Sequence, residues 1–375
     1  MKIAMFGHKR VPSREGGVEV VAEQLSLRLA ARGHKVCLYN RGGRAAGAAE
    51  LGNSAEKALE GIEIKTVPTI EKKGLAAVSS SFFAALAAAF SDAEVVHIHA
   101  EGPAAMCWLP RLRGKRVIVT VHGLDWQRDK WKNGFGARYI KLGEKMAVRF
   151  AHEIIVLSES VGQYFLESYG RETAFIPNGA EQPQHLPAAL IKERFGLEEG
   201  GYILYLGRLV PEKAVHQLIE AYRAVDTRRK LVIAGGSSDT DEYVERLHAL
   251  AAGDDRIIFT GFVQGRMLQE LYSNAYIYVL PSLLEGMPLS LLEAMSHGLC
   301  CLVSDIPECA QVVGDKALTF PAGDVAALRD SLQRICNDAA LREELARSAA
   351  ERVLSRYSWD RVVDATLELY KEKRQ

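Results

Sequence analysis

Short apolar runs rich in β-branched residues alternate with longer helical patterns along nearly the whole chain. The predicted strands of the first half are 2–6, 35–39, 62–67, 95–99, 117–121, 154–157 and 174–176. The predicted helices of this half are 18–31, 75–90, 104–112, 135–150 and 159–169. Because near-continuous apolar strands that alternate with helices are typically covered on both faces, the pattern predicts an α/β protein with parallel sheets.

One segment interrupts this alternation. Residues 177–187 carry three prolines and the turn-forming pair Asn178-Gly179, which is typical of a linker. The alternation then restarts, with strands predicted at 202–206, 231–234, 257–259, 276–280 and 301–303. A chain of 375 residues is too long for one typical core. We therefore predict two α/β domains, 1–182 and 183–357, followed by a C-terminal segment, 358–375, whose helix spans 359–373.

The composition excludes several classes of protein. The 47 basic and 47 acidic residues balance, so net charge gives no attraction to nucleic acid. The six cysteines include no C-x-x-C pair, which favours reduced thiols in the cytoplasm over a disulfide frame or zinc site. The apolar run 74–90 is too short to span a membrane, and we expect a helix packed on a sheet. Peripheral membrane docking through this helix is the alternative.

Two glutamates flank a predicted helix start. Glu285 and Glu293 lie eight positions apart, with Gly286 and Pro288 between them, after the apolar run 275–280. Proline suits the first turn of a helix, so the backbone N–H groups of 286–289 would form an anion site between the two carboxylates. Such a site fits a nucleotide sugar. The alternative is a solvated loop acid and a surface helix residue, although the apolar neighbours of Glu293 predict that it needs a partner.

Other candidate residues follow predicted strands. Gly16-Gly17 opens a helix after the first strand, but it lacks the G-x-G-x-x-G spacing of a dinucleotide site. Arg208 and Lys213 follow the strand after the linker and could clamp a diphosphate. The alternative for the glycine pair is an ordinary turn. The alternative for Arg208 and Lys213 is that they are two surface cations. Ligands of open α/β sheets bind outside the carboxyl ends of the strands, so we expect them in the cleft between the halves.

Histidines end two neighbouring strands. His122 follows the strand 117–121 and precedes a glycine, which favours a ligand contact, whereas a structural histidine is the alternative. His97 and His99 alternate along their strand and so share a face. Two histidines could suggest a metal, but no nearby cysteine or paired carboxylate completes a site, and we expect none.

These features, in this order, resemble the retaining glycosyltransferases of family 4, which have the GT-B fold. The matching features are Gly16-Gly17, His122, Pro177-Asn178-Gly179, Arg208 with Lys213, and the E-x7-E element of Glu285 and Glu293. The resemblance covers essentially the whole chain. It implies two Rossmann-like parallel-sheet domains facing a cleft, an acceptor-side domain followed by a donor domain, and a last helix that crosses back to the first domain.

The resemblance also implies a role for each matched residue. Gly17 would approach the donor phosphate, and Arg208 and Lys213 would stabilise the diphosphate as a leaving group. Glu293 would bind the ribose and Glu285 the transferred sugar, which His122 would also contact. The phosphate site would be completed by Gly286, Met287, Pro288 and Leu289, and the turn 261–263, including Val263, would border the base.

Members of this family generally work without a metal, so the resemblance implies neither metal nor cofactor. The partners would be a nucleoside-diphosphate sugar and a glycan or polyprenyl-linked acceptor, without nucleic acid. The location would be cytoplasmic, with peripheral contact to the inner face of the plasma membrane left open. The segment 125–136 resembles that of enzymes that build bacterial surface polysaccharide, and Asp125, Trp126 and Trp131 could shape the acceptor site. The alternative is that both tryptophans are packing residues.

Three questions stay open at this point. A nucleotide-sugar epimerase or hydrolase could use the same donor clamp without an acceptor. A non-catalytic nucleotide-sugar-binding protein would keep the fold without turnover. Finally, Ala214 follows Lys213 where the family usually has glycine, so the local turn could differ.

Overall fold

The computed structural model describes residues 1–43, 61–72, 74–128, 134–238 and 240–371. The chain divides into two compact units, one of Met1–Asn178 with Trp359–Gln375 and one of Gly179–Ser358. We call them unit 1 and unit 2. The sequence placed its domain boundary after residue 182, inside the same proline-containing segment. Trp131, one of the two tryptophans considered for an acceptor site, lies outside the described residues.

Unit 1 is built on a parallel sheet with strand order β3-β2-β1-β4-β5-β6-β7. Its strands are β1 (Lys2–Phe6), β2 (Lys35–Arg41), β3 (Ile62–Val67), β4 (Val95–His99), β5 (Arg116–Val121), β6 (Glu153–Val156) and β7 (Ala174–Phe175). Its first helices are α1 (Gly17–Ala31), α2 (Leu75–Phe90), α3 (Glu101–Ala104), α4 (Trp108–Leu112), α5 (Phe135–Phe150) and α6 (Glu159–Tyr169). All seven predicted strands are confirmed, with ends that differ by at most two residues.

The predicted helix over 104–112 is wrong. The structure has two short helices here, α3 and α4, separated by a turn. Pro110 is the physical reason, because it has no N–H to bond the carbonyl of Met106 and its ring would collide with that turn of a continuous helix. The chain therefore bends between them, which keeps the buried Ala104 and Cys107 in the core of unit 1.

Unit 2 repeats the architecture with strand order β10-β9-β8-β11-β12-β13, again parallel. Its strands are β8 (Tyr202–Leu206), β9 (Lys230–Ala234), β10 (Ile257–Gly261), β11 (Ile277–Leu280), β12 (Cys301–Ser304) and β13 (Leu318–Phe320). Its helices are α7 (Leu190–Phe195), α8 (Val215–Arg223), α9 (Asp241–Ala251), α10 (Gly265–Asn274), α11 (Leu289–Ser296), α12 (Pro307–Val313), α13 (Val325–Asn337) and α14 (Ala339–Arg356). The sequence did not predict β13, a three-residue edge strand.

Both sheets have the doubly wound order, in which the direction of winding reverses between the first and fourth strands of the unit. The reversal lies between β1 and β4 in unit 1 and between β8 and β11 in unit 2. Loops leave in opposite directions at such a point and open a crevice at the carboxyl ends of the strands. In unit 2, Arg208 follows one of these two strands and Glu285 follows the other.

The last helix, α15 (Trp359–Lys371), belongs to unit 1. Arg32 forms an ion pair of 2.7 Å with Asp364, and Arg28 lies over the ring of Trp359. At its other end, Arg116 donates from Nε to the carbonyl of Leu369 at 2.6 Å. All the strands of the unit 1 sheet thus precede unit 2 in the sequence. After unit 2, the chain returns to unit 1 and supplies one more helix.

Several other expectations concern the chemistry of the whole chain. All six cysteines are free thiols, and four of them are buried. Burial raises the pKa of Cys107 to about 12, so this thiol is unreactive. Across the described ranges, no helix is long and apolar enough to cross a membrane.

Candidate functional site

The centre of the candidate site in unit 2 is an ion pair between Lys213 and Glu285. Both side chains are largely buried, at 13% and 6% exposure. Ser282 donates its hydroxyl to the same carboxylate oxygen, Oε1, at 2.7 Å. Lys213, which the resemblance assigns to the diphosphate, and Glu285, which it assigns to the transferred sugar, are therefore in direct contact, and a surface location for Glu285 is excluded.

The loops that carry this pair are joined to one another. The turn Pro211–Lys213 follows β8, and the backbone N–H of Leu283 donates to the carbonyl of Glu212 at 2.8 Å. Ser304, at the end of β12, donates to the carbonyl of Ser282 at 2.5 Å. Loops after three neighbouring strands are thus held together, which fixes the positions of the lysine and the glutamate.

Ala214 closes the turn after Lys213 in the left-handed region, with φ 51° and ψ 34°. An L-residue with a Cβ is strained in this region and glycine is not. The turn therefore has the conformation that glycine favours, although the sequence supplies alanine. Ala214 is also fully buried, so the local backbone has no freedom to relax toward solvent.

Arg208 follows the same strand, β8, two residues after its last residue. Tyr205 donates its hydroxyl to the carbonyl of Arg208 at 3.0 Å, and the hydroxyl stays protonated because burial raises the pKa of Tyr205 well above its usual value. Gly235, at φ 149°, packs so closely that a Cβ there would collide with the carbonyl of Gly207. The strand end before Arg208 is thus fixed on both sides.

Glu293 lies inside α11 and is half-buried. Tyr272 donates its hydroxyl to Glu293 Oε2 at 3.0 Å, and the ring of His297 stacks on Tyr272 at 5.1 Å. The expectation that an acid embedded in this apolar helix requires a partner is confirmed. Tyr278, a neighbour of Tyr272, instead donates to Ser290 Oγ at 2.8 Å.

The helix between the two glutamates begins one residue later than predicted. Pro288 is the N-cap of α11, with extended backbone angles, and Leu289 is the first helical residue. Pro288 is the cap and not the first helical residue, because its ψ of 108° lies outside the helical range. Gly286 and Met287 are buried beside it. The N–H groups of Leu291 and Leu292 donate to the carbonyl of Pro288, so those of Leu289 and Ser290 are the ones that could bind an anion.

The predicted border of the base lies at the end of β10. Gly261 has φ 70°, Phe262 is 50% exposed and Val263 is half-buried. A Cβ at Gly236, after the neighbouring strand β9, would lie in ordinary contact with Phe262, 3.8 Å from its Cβ. A solvent-exposed aromatic ring beside a glycine is a surface on which a flat base can stack.

Unit 1 supplies the glycine loop. Gly17 is the first residue of α1 and is exposed. Gly16 precedes it, and a Cβ there would collide with the carboxylate of Glu19. Glu19 in turn accepts from the backbone N–H of Lys9 at 2.7 Å, so the first turn of α1 holds the loop after β1. The N-terminus of α1 is left with an accessible glycine.

His122 is 9% exposed and contacts a second histidine, with His99 Nδ1 and His122 Nε2 3.1 Å apart. His97 is bound by Tyr370 and Thr120, at 2.6 Å each, so its nitrogens are already occupied. Burial is the main reason that the pKa of both His97 and His122 falls to about 3, and both rings are neutral at pH 7. Among the described residues, no three His, Cys, Asp or Glu side chains are arranged to hold a metal ion.

The predicted acceptor residues lie in the short 3-10 turn Asp125–Gln127. The backbone N–H of Asp125 donates to the buried carboxyl of Glu101 at 2.7 Å, and its side chain pairs with Arg128 at 3.1 Å. Trp126 is half-buried, with the ammonium of Lys141 3.6 Å from its ring centre. Lys141 thus packs on this ring, and the half-buried Asp125 is held in place by its backbone.

Sequence reasoning missed the residues that orient these groups. They are Ser282 and Tyr272 in unit 2, and His99, Glu101 and Tyr370 in unit 1. Burial, followed by the charge of Asp125, raises the pKa of Glu101 well above its usual range. The sequence signals for these residues are weak: Ser282 directly precedes the glutamate loop, and the spacing of His99 from His97 suggests only a metal site.

Comparisons with known proteins agree with this architecture. Residues 15–181 match the model of "Glycosyltransferase Family 4" and residues 189–352 match that of "Glycosyl transferases group 1". An uncharacterised glycosyltransferase of Methanocaldococcus jannaschii is 32% identical over 45% of this chain and 44% of its own length. The O-antigen chain mannosyltransferase B of Escherichia coli is 30% identical over 48% of each chain. The alignments thus span about half the length of these two relatives.

Solved structures share the fold over nearly the whole chain. Sucrose-phosphate synthase from Thermosynechococcus elongatus superposes with a TM-score of 0.84 at 21% identity, covering 99% of this chain and 98% of its own. The Anabaena protein HepE, solved with UDP and glucose, superposes with a TM-score of 0.81 at 17% identity, covering 98% of each chain. Both halves match a glycosyltransferase model and the two sheets have the GT-B arrangement of strands, so this chain belongs to the family 4 glycosyltransferases.

Proposed function

We propose that the protein is a retaining, metal-independent glycosyltransferase that moves a sugar from a nucleoside-diphosphate sugar to a glycan or a polyprenyl-linked acceptor. The reaction would serve surface polysaccharide biosynthesis. The observation that carries the proposal is the buried Lys213–Glu285 pair, which lies where the winding of the unit 2 sheet reverses, beside the strand end with Arg208.

The donor diphosphate would bind in unit 2. Arg208 offers a planar fork of N–H donors, and Lys213 a compact positive charge. The first turn of α11, from Leu289, adds backbone N–H groups and a favourable helix potential. The presence of UDP in the similar HepE structure supports a nucleoside diphosphate as the ligand class.

The two glutamates would bind the sugar and the ribose. Lys213 and Ser282 both use Oε1 of Glu285, which leaves Oε2 to accept hydrogen bonds from sugar hydroxyls. Tyr272 holds Glu293 by Oε2 and would orient this carboxylate toward the ribose hydroxyls. Carboxylates with fixed geometry are strong and directional acceptors for hydroxyl groups.

The chemistry would proceed with retention. The bond between the anomeric carbon and the donor phosphate breaks, and the acceptor oxygen bonds to the same face of the sugar while its proton passes to the departing phosphate. Negative charge grows on that phosphate in the transition state, and Arg208 and Lys213 would stabilise it without a metal. Gly17 would approach the phosphate by its backbone, and His122 would contact the transferred sugar.

The acceptor would bind unit 1 near Asp125 and Trp126. The similarity to the Escherichia coli O-antigen chain mannosyltransferase B supports a glycan or lipid-linked acceptor. Asp125 is anchored by Glu101, so its carboxylate can act from a fixed position. Trp126 would contribute mainly by supporting this turn.

A cytoplasmic location on the inner face of the membrane is part of the proposal. Apolar side chains of unit 1 are exposed along α2 and next to it, namely Ile70, Leu75, Phe82, Phe90 and Leu112. Arg113 lies over the ring of Phe90 at 4.7 Å, and an open groove of about 510 Å³ between β3 and α2 is lined mainly by apolar residues. An apolar surface with a cation beside it suits an anionic bilayer surface.

The first test of this function is a thermal-shift screen with UDP, GDP, dTDP, ADP and CMP. A nucleotide at about 100 times its dissociation constant adds roughly 2.7 kcal/mol to the free energy of unfolding. Sugars of the responding nucleotide are then supplied with and without acceptor, and the anomeric configuration of the product is read by NMR. Turnover unaffected by EDTA and a product of retained configuration are expected.

Other outcomes point elsewhere. Donor consumption that does not depend on acceptor identifies a nucleotide-sugar epimerase or hydrolase. Absence of any response to nucleotides contradicts the donor site and indicates a protein without this activity. The membrane contact is tested separately with phosphatidylglycerol vesicles, where Phe82→Ser with Phe90→Ser is expected to reduce co-sedimentation and leave donor hydrolysis unchanged.

A further inference from the structure

The contact between His99 and His122 brings together the ends of two neighbouring strands. His99 is the last residue of β4, and His122 directly follows β5. The two rings are tilted by 35° with centres 5.3 Å apart, and Nδ1 of His99 is 3.1 Å from Nε2 of His122. Neither ring is charged at pH 7, because burial lowers the pKa of both. Each ring therefore carries one proton, and one of these protons lies in the contact.

The remaining nitrogen of His99 decides which ring donates. His99 Nε2 is buried and has no hydrogen-bond partner among the described residues. If His122 donated from Nε2, the proton of His99 would be forced onto this nitrogen as a buried and unpaired N–H, which is rare in proteins. If His99 donates from Nδ1, only a lone pair is left unpaired, and the free-energy cost is smaller. The second arrangement places the proton of His122 on Nδ1.

The surroundings of His99 hold its ring in this position. Its ring stacks on that of His97 at a distance of 4.4 Å and an angle of 26°. His97 is held in turn by the hydroxyls of Thr120 and Tyr370. On the backbone side, Gly7 approaches so closely that a Cβ there would collide with the carbonyl of His99. Rotation of His99 away from His122 would require these packed groups to move.

We propose that His99 is a positioning residue, which donates from Nδ1 to His122 and thereby keeps His122 as a hydrogen-bond donor through Nδ1–H. The chemical class that this donor recognises is a hydroxyl or ring oxygen of the transferred sugar. This inference rests on the proposed function, in which His122 contacts that sugar. His99 itself does not touch substrate.

Two substitutions of similar polarity test the proposal. The amide of asparagine lies about as far along the side chain as imidazole Nδ1, and the amide of glutamine about as far as Nε2. His99→Asn can therefore still donate to His122, whereas His99→Gln places its amide elsewhere. We expect His99→Gln to lower kcat by about 10- to 100-fold with an unchanged KM for the donor, and His99→Asn to retain most of the turnover.

A second readout does not depend on catalysis. In protein labelled with ¹⁵N-histidine and without donor, the ring resonances of His122 are expected to report a protonated Nδ1 and a bare Nε2. His99→Asn is expected to keep this pattern, and His99→Gln to give a mixture of tautomers. Thermal unfolding of both variants checks that each is folded. The His122 tautomer and the turnover of either folded variant then test the proposal without the other variant.

The outcomes separate this inference from the proposed function. A protonated Nε2 on His122 in the unsubstituted protein overturns the proposal, and so does a folded His99→Gln variant with unchanged kcat and tautomer. The expected tautomer of His122 could also be found together with full turnover in both His99→Gln and His122→Leu. That result overturns the claim that His99 positions His122 for catalysis. In that case the nucleotide screen, which does not involve either histidine, would still decide the donor-binding function.

Discussion

Tyr272 and Glu293 are joined by a hydrogen bond of 3.0 Å from the phenol to the carboxylate, although they lie on different helices. Burial raises the pKa of Tyr272 well above its usual value, so the phenol donates at any physiological pH. Glu293, which is predicted to bind ribose, is therefore held by a side chain of the protein itself. In the proposed function, this hydrogen bond would orient the carboxylate of Glu293 before the donor binds.

Removing this hydroxyl should weaken donor binding. For Tyr272→Phe we expect the dissociation constant of the nucleoside diphosphate to rise about tenfold, because Glu293 loses the group that orients it. Tyr278→Phe is the matched control, since Tyr278 is equally buried but donates to Ser290. Isothermal titration of both variants measures the difference. Equal affinities in the two variants would show that Tyr272 does not orient a donor contact.

Substitution of Lys213 should separate stability from activity. Lys213→Met leaves the carboxylate of Glu285 buried beside an apolar group, and we expect a loss of about 3 kcal/mol in the free energy of unfolding. Glu285→Gln added to this variant should recover much of the stability, while turnover stays at least about 100-fold below that of the original protein. Urea denaturation and donor turnover are measured for both.

Lys192 supplies the control for this experiment. Lys192 pairs with Glu198 in the same unit, but both side chains are exposed, at 62% and 72%. Exposed pairs contribute at most about 1 kcal/mol, so Lys192→Met should leave both stability and turnover nearly unchanged. A double variant at Lys213 and Glu285 with normal turnover would exclude the pair from the donor site.

Ala214→Gly should stabilise the protein. Alanine at φ 51° is strained by about 1–2 kcal/mol. The extra freedom of glycine in the unfolded chain and the loss of the buried methyl group of Ala214 offset part of this. We expect a net gain of about 0.5 kcal/mol, seen as a higher urea midpoint. Ala221→Gly, inside α8, is the control and should lose about 1 kcal/mol. A midpoint lowered by both substitutions would contradict strain at Ala214.

The buried histidines predict a loss of stability in mild acid. The pKa of His97 is about 3 in the folded protein and about 6.5 when unfolded, so the unfolded chain binds more protons between these values. Stability is therefore fully present above pH 6.5 and falls as the pH is lowered, by up to about 1.4 kcal/mol per pH unit for one histidine. His97→Gln should reduce this slope between pH 6 and pH 5. Parallel slopes in the two proteins would refute the assignment.

The strands and their order in the chain could be predicted because each buried strand is a run of apolar residues with turns beside it. The prediction of one helix over 104–112 was wrong because of a single proline, Pro110. The apolar pattern continues through this segment, but proline cannot make the backbone hydrogen bond that a continuous helix needs. The edge strand β13 was missed because three residues carry no periodicity.

The candidate site was predictable only in part, for a different reason. Glu285 and Lys213 could be found because loops after strands collect at one edge of a sheet. Their contact was not predicted, and neither were the hydrogen bonds of Ser282 and Tyr272, because partner choice depends on packing in three dimensions. Tyr370 and His97 are 273 positions apart in sequence, and no local pattern could relate them.

The return of α15 to unit 1 has a consequence for biosynthesis. Tyr370, which binds His97, leaves the ribosome only after the whole of unit 2 has been made. The sheet of unit 1 can form early, but His97 stays without its hydrogen bond to Tyr370 until α15 has also been made. A nascent chain stalled before residue 359 would therefore hold a complete unit 2 and a unit 1 that still lacks its last helix.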